Sequence, residues 1–161
     1  MHIEQEVGEL LLKKHLKIST AESCTGGLLS SKLTDVAGSS EYITFNVVTY
    51  ANEIKNKILG VTWDTLNTHG AVSAECATEM VLGLQKLTNA DICVATTGIA
   101  GPGGGTVEKP VGTCYVGILY NGKLKIKKLQ GDENKTRKEL KEFFANSALE
   151  LVKLELCSNL F

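Results

Sequence analysis

The chain has 161 residues, 43% of them hydrophobic and 22% charged, with a formal net charge of −1. That length suits a single domain over residues 1–161 with one active site, and the near-neutral charge supplies no field to attract nucleic acid or an anionic membrane. A small-molecule ligand is the expected partner, and without a signal-like start or a run near the roughly 20 apolar residues that cross a bilayer, the expected location is cytoplasmic.

Ile3, Val7, Leu10 and Leu11 recur at helical spacing, which predicts an amphipathic helix ending near the basic run Lys13 to Lys17. Ile18 to Ala21 reads as a short strand, followed by the turn Glu22-Ser-Cys-Thr-Gly-Gly27 and a second helix marked by Leu28, Leu29 and Leu33. Gly38 is the expected left-handed cap of that helix. Residues 42–50 read as a strand, and Asn52 is placed to cap a short helix that ends at Gly60. Ser73 caps an amphipathic helix through Ala77, Met80, Val81 and Leu84, with Glu75 in its first turn.

Ile92 to Thr97 reads as a buried strand leading into the glycine-rich run Gly98-Ile-Ala-Gly-Pro-Gly-Gly-Gly105, a loop suited to close approach of backbone to a ligand. Gly112 to Tyr120 and Lys123 to Leu129 flank Asn121-Gly122, a strong hairpin signal, so these strands pair antiparallel. Glu133 to Leu156 reads as a long terminal helix. Alternating helices and strands with one hairpin predict a three-layer α/β/α domain around a mixed, mostly parallel sheet.

Open α/β sheets bind ligands beyond the carboxyl ends of their strands, and three polar or glycine-rich turns leave such ends here: residues 22–27, 49–55 and 96–105. If they converge, Ser23, Thr25, Thr96 and Thr97 offer hydroxyls, Lys55 an amine, and the helix start before Leu28 backbone N–H groups. That inventory suits acyl transfer. Taken singly, each residue also has a plain structural role: Ser23 and Thr25 as helix caps, Lys55 as a solvated helix lysine, Thr97 as a strand-end hydroxyl, the glycine run as a surface loop. His69 before Gly70 reads as a turn residue.

The five scattered cysteines form no C-x-x-C pair and the three histidines no metal-ligand spacing, so reduced thiols and no metal are expected. The glycine run matches neither a phosphate-binding P-loop nor a dinucleotide fingerprint, and no G-x-S-x-G elbow is present.

Five strings, read together, closely resemble the CinA C-terminal domain family of competence/damage-inducible proteins, over nearly the whole chain. They are Thr20-Ala-Glu-Ser-Cys-Thr-Gly-Gly27, Val48-Thr-Tyr-Ala-Asn-Glu-Ile-Lys55, His69-Gly-Ala-Val-Ser73, Thr97-Gly-Ile-Ala-Gly-Pro102 and Lys109-Pro-Val-Gly-Thr113. The resemblance implies hydrolysis of nicotinamide mononucleotide to nicotinic acid mononucleotide and ammonia, without metal or organic cofactor. It implies Ser23 as nucleophile, Lys55 as its base and Thr97 as an auxiliary hydroxyl, with Tyr50 and Asn52 as walls of the site. The glycine loop, including Gly98 and Gly101, is expected to approach the ligand. Backbone N–H groups of Thr25, Gly26 and Gly27 suit either the tetrahedral oxyanion or the phosphate.

Phe45-Asn46 stands where many relatives have glycine, and Glu133 where an arginine is common. Arg137 is therefore the candidate phosphate contact, with Lys109 as a second. Lysine ordinarily titrates near about 10.4, so a lysine base needs desolvation or neighbouring positive charge to act near neutral pH. The resemblance also favours a homo-oligomer, a dimer, and the separate N-terminal domain of longer CinA proteins is not expected here. The alternative expectation is a catalytically weak or inactive nucleotide-binding domain with a regulatory role.

Overall fold

The computed structural model describes residues 1–158. In chain order the elements are α1 (Ile3–Lys14), β1 (Ile18–Glu22), α2 (Leu28–Thr34), β2 (Ile43–Val48), α3 (Asn52–Leu59), α4 (Trp63–Thr68), α5 (Ala74–Thr88), β3 (Ile92–Gly98), β4 (Thr113–Tyr120), β5 (Lys123–Gln130) and α6 (Arg137–Ser158). The strands form one sheet in the order β2-β1-β3-β4-β5. β1 pairs in parallel with both β2 and β3, while β3–β4 and β4–β5 are antiparallel. The sheet is thus mixed, with β4 alone running against the other strands.

Strand alternation builds two cores. On β3, Ile92 and Val94 face a cluster with Val7, Leu11, Leu29, Phe144 and Val152 from α1, α2 and α6. Cys93 and Ala95 face the opposite way, onto Leu59, Leu66, Met80, Val81 and Leu84 from α3, α4 and α5. A strand buried on both faces reads as a continuous apolar run, as Ile92 to Ala95 does. The result is the three-layer α/β/α sandwich that the alternation of elements predicts. On the second face α3 ends unusually close to α5: a Cβ placed on Gly83 would lie 1.7 Å from the Leu59 carbonyl oxygen. Only a glycine admits that approach, which seats the helix carrying Lys55.

Three local expectations are corrected and one helix is added. α2 ends at Thr34, and Gly38, at φ 88°, begins a short 3-10 turn over Ser39–Glu41 instead of closing the helix. Asn52 is the first residue of α3 and not its cap; the cap position is Ala51, with no side-chain bond. α4 escaped the sequence reading because it is only six residues long, although Thr62 caps it by accepting from the Thr65 N–H. The last helix begins at Arg137 instead of Glu133. There Thr136 and Glu139 form a reciprocal capping box, Thr136 N–H donating to the Glu139 carboxylate at 2.8 Å and Glu139 N–H to the Thr136 hydroxyl at 3.2 Å. The hairpin holds as read, with Asn121 and Gly122 at φ 52° and 70°.

Candidate active site

The three turns meet. Ser23, Tyr50, Asn52, Lys55, Thr97, Gly98, Gly101 and Arg137 line one open cleft of about 270 Å³ at the carboxyl ends of β1, β2 and β3, together with Cys24, Ala71 and Val72. The sequence reading gave no site role to the last three. Ala71 and Val72 arrive from the loop before α5, inside the His69–Ser73 string that supplied only a signature.

β1 delivers Ser23. The Ser23 N–H donates to the Thr96 carbonyl at 3.0 Å, fastening the strand end to β3, and the Gly26 N–H donates back to the Ser23 carbonyl at 3.1 Å. The turn so formed leaves the Ser23 side chain half-buried in the cleft wall.

α3 delivers Lys55. Its side chain is 1% exposed, and its amine donates to the Tyr50 carbonyl at 2.8 Å. Burial lowers the Lys55 pKa by penalising the ammonium form, and any negative charge on the Cys76 or Cys24 thiols would oppose that shift. Lys55 is therefore not a solvated helix lysine. Among the described residues no hydrogen bond joins its amine to the Ser23 hydroxyl, although both residues line the cleft.

β3 delivers Thr97, 1% exposed, whose hydroxyl donates to the Ala71 carbonyl at 2.7 Å. With its single proton so used, its oxygen faces a ligand only as an acceptor. Gly98 follows, and a Cβ there would come within 2.7 Å of the Thr113 carbonyl oxygen and 2.9 Å of the Cys114 Cα, so the strand pair closes tightly beneath the cleft floor. At the rim the exposed Arg137 guanidinium donates to the Gly101 carbonyl at 2.6 Å and to the Tyr50 hydroxyl at 3.0 Å. It ties the glycine loop to the β2–α3 turn.

The turn residues 25–27 stand outside the cleft, contrary to expectation. Thr25 is fully buried, and its hydroxyl donates to Glu22 at 2.6 Å while accepting from Thr96 at 2.8 Å. The start of α2 is occupied by the same carboxylate: Glu22 accepts from the Leu29 N–H at 2.9 Å and the Ser30 N–H at 3.0 Å. Glu22 thus satisfies the first-turn donors of Leu29 and Ser30, while of the turn N–H groups expected to meet an anion, that of Gly26 is held by the Ser23 carbonyl at 3.1 Å. Gly27, at φ 100°, forms the corner into the helix. Lys109 is likewise elsewhere, donating to the His69 carbonyl at 2.6 Å and so buttressing the loop that leads to Ala71.

Of the pair Phe45-Asn46, Asn46 acquires a physical account. The β1–β2 register slips between Ile18 and Ser19, and the Thr20 N–H is met by the Asn46 side-chain oxygen at 3.0 Å. The Asn46 amide then donates to the Ser30 hydroxyl at 2.8 Å, binding β2 to α2. Glu133 lies on the loop beside Pro102 to Gly104, away from Ser23 and Lys55. Among the described residues no group of three His, Cys, Asp or Glu side chains is placed to hold a metal. No helix among them is long and apolar enough to cross a membrane.

Comparison with known proteins places the fold. The chain is 51% identical over 139 residues to a putative competence-damage inducible protein of Clostridium beijerinckii, and 52% identical over 147 residues to a CinA-like protein of Desulforapulum autotrophicum. Those alignments cover 85% and 91% of this chain but 34% of each relative, so the chain spans about a third of their length. Among solved structures, a competence-damaged protein (CinA) superfamily protein from Klebsiella pneumoniae superposes with a TM-score of 0.92 at 30% identity, covering 97% of this chain and 96% of its own. The competence/damage inducible protein CihA from Agrobacterium tumefaciens gives 0.90 at 38% identity, covering 98% and 97%. The family model described as CinA C-terminal domain matches residues 1–156, and the chain belongs to that family.

Proposed function

We propose that this chain is an amidohydrolase that converts nicotinamide mononucleotide to nicotinic acid mononucleotide and ammonia, with Ser23 as nucleophile and Lys55 as base. The observation that carries the reading is the shared cleft: a half-buried serine and a desolvated lysine, brought from different strand ends to line one cleft. A serine hydroxyl attacks an amide only when a neighbour takes its proton. A lysine whose ammonium form is disfavoured by burial is such a neighbour.

In this reading the neutral Lys55 amine removes the Ser23 proton, directly after a side-chain rotation or through one water, as apo sites commonly require. The Ser23 oxygen bonds to the carboxamide carbon, and the proton held by Lys55 passes to the leaving nitrogen. Ammonia departs, and water repeats the attack on the acyl-serine to release the carboxylate. Thr97 accepts one N–H of the carboxamide, since its own proton is held by Ala71. At about 270 Å³ the cleft falls just below the usual range of ligand sites, roughly 300 to 1,000 Å³. The nicotinamide ring fills it and the ribose phosphate lies across the rim, where Arg137 retains N–H donors beyond the two that hold Gly101 and Tyr50.

The test is ammonia release from nicotinamide mononucleotide, nicotinamide riboside and nicotinamide by the full chain and by Ser23→Ala. The expected result is turnover of the mononucleotide above the other two and its loss in the variant, with nucleotide binding retained. Undiminished turnover by Ser23→Ala removes the serine from the mechanism, and binding without turnover by the native chain favours a nucleotide-sensing role.

A further inference from the structure

The cleft holds a second reactive group that the amidase chemistry leaves unused. Cys24 follows Ser23 directly, lines the same cleft, and its sulfur lies 3.8 Å from that of Cys114. The two are 90 residues apart in sequence, so no spacing rule could pair them. Both thiols are free and buried, Cys24 at 6% exposure on the cleft wall and Cys114 at 0% beneath it. Among the described residues this is the one sulfur–sulfur contact. Cys76 and Cys93 are sealed in the opposite core with their pKa values pushed up to about 11 by burial, and Cys157 lies at the end of α6, remote from the cleft.

We propose that Cys24 and Cys114 are an oxidation site for hydroperoxides, forming a disulfide that displaces the Ser23 turn and closes the cleft to catalysis. The effect on catalysis rests on the amidase reading above; the disulfide itself does not. The geometry assigns the two sulfurs different parts. Burial holds the Cys114 thiol protonated, and no cleft path reaches it, so the peroxide meets Cys24. The Cys24 sulfur attacks the terminal peroxide oxygen, the O–O bond breaks, and an alcohol, or water from hydrogen peroxide, leaves a sulfenic acid. The Cys114 sulfur then bonds to the Cys24 sulfur, the S–O bond breaks, and the departing hydroxide takes the Cys114 proton as water. Two thiols lose two electrons and two protons, and the peroxide gains them.

Closure requires movement, because bonded sulfurs sit about 2.05 Å apart. Cys114 is fixed in mid-sheet, paired with Gly98 on β3 and Leu129 on β5. The movement therefore falls to Cys24, by rotation of its side chain and a shift of its turn, and Ser23, the residue before it, moves with that turn. Displacements near 1 Å at a reacting centre cost on the order of 100-fold in rate, so the oxidised protein is expected to lose roughly that factor in kcat/KM for nicotinamide mononucleotide.

The experiment treats the full chain with hydrogen peroxide under native conditions, blocks remaining thiols with N-ethylmaleimide and maps the digest by mass spectrometry. The expected product joins the Cys24 and Cys114 peptides with the loss of two hydrogens, and dithiothreitol restores both thiols and the activity. Cys114→Ala, with Cys114→Ser as a second variant should the first fold poorly, keeps the reduced activity but gives no cross-link, and its Cys24 is trapped as a sulfenic acid by dimedone. The proposal is overturned if Cys24 stays free at a peroxide dose that fully oxidises Cys157, or if the cross-link forms with less than a twofold loss of activity. Should the native chain show no amidase activity, that reading falls by itself, and the peptide map still decides whether the pair forms.

Discussion

Replacing Glu22 by Gln tests whether the first turn of α2 is a structural joint or a ligand site. The Glu22 carboxylate is fully buried and accepts three hydrogen bonds, from the Thr25 hydroxyl and the Leu29 and Ser30 N–H groups. A glutamine of the same shape presents one oxygen and one NH₂, so an N–H of the helix start faces another donor. A hydrogen bond to a charged group contributes roughly 1.5–3 kcal/mol, and a buried donor left unpaired costs about 1–3 kcal/mol. The lost charge at the helix N-terminus adds about 0.3–1 kcal/mol. These terms overlap, and together they place the destabilisation at about 3 kcal/mol. For a chain of this size that corresponds to a fall in Tm of roughly 6–12 °C. Urea unfolding and a thermal melt at neutral pH give both quantities, with ammonia release per folded molecule as the control. A loss below about 1 kcal/mol would show that the α2 donors do not depend on Glu22 and would return them to the list of anion contacts.

Lys55→Met is expected to abolish amide hydrolysis and to stabilise the fold, because it deletes a buried amine with one acceptor. The sign with pH follows from the lowered native pKa: between it and the unfolded value the unfolded chain binds more protons, so wild-type stability rises with pH. The pH-dependent part of the stabilisation by methionine is then largest at low pH and falls to zero near about pH 10.4, the unfolded lysine value, as paired urea titrations would show; a pH-independent difference contradicts the assignment. For the wild type, the same ionisation predicts that kcat/KM climbs with pH to a plateau as the amine loses its proton. Arg137→Ala should raise the half-saturating nicotinamide mononucleotide concentration about tenfold, the equivalent of roughly 1.4 kcal/mol. Nicotinamide riboside, which lacks the phosphate, should suffer only the smaller effect of untying Tyr50 from Gly101; equal impairment of both substrates would assign Arg137 to structure alone.

Much of the fold is legible because its signals are local. Apolar runs, the Ser73 cap and the Asn121-Gly122 turn each carry their own physics, and the structure keeps them. The misread start of α6 has its cause in competing caps close together. Thr136-Arg-Lys-Glu139 is a capping box readable in the sequence, but the acidic residues Asp132 and Glu133 mimic a helix start, and Asp132 in fact accepts from the Asn134 N–H at 2.9 Å to form a turn. The site was legible as three turns and illegible in its partners. That Glu22 satisfies the start of α2, or that Cys24 meets Cys114, depends on long-range packing that no spacing encodes.

The adjacent threonines show how the sheet decides what composition leaves open. Thr96 and Thr97 are chemically identical, and both offer a hydroxyl at the end of β3. Pleating sends them to opposite faces. β3 is set against β1 with Thr96 opposite Glu22, so the Thr96 hydroxyl points to the α2 side and donates to Thr25. Thr97, one residue on, points to the α5 side, where it meets Ala71 and lines the cleft. A one-residue slip would exchange the two, leaving Thr25 without its donor and the cleft without its hydroxyl. The register is held by burial on both faces, since the same slip would also send Ile92 and Val94 into the α5 layer and Cys93 and Ala95 into the other. Specification of the candidate site is therefore the work of core packing some distance below it, and the polar residues themselves carry little of the information that selects which of them faces a ligand.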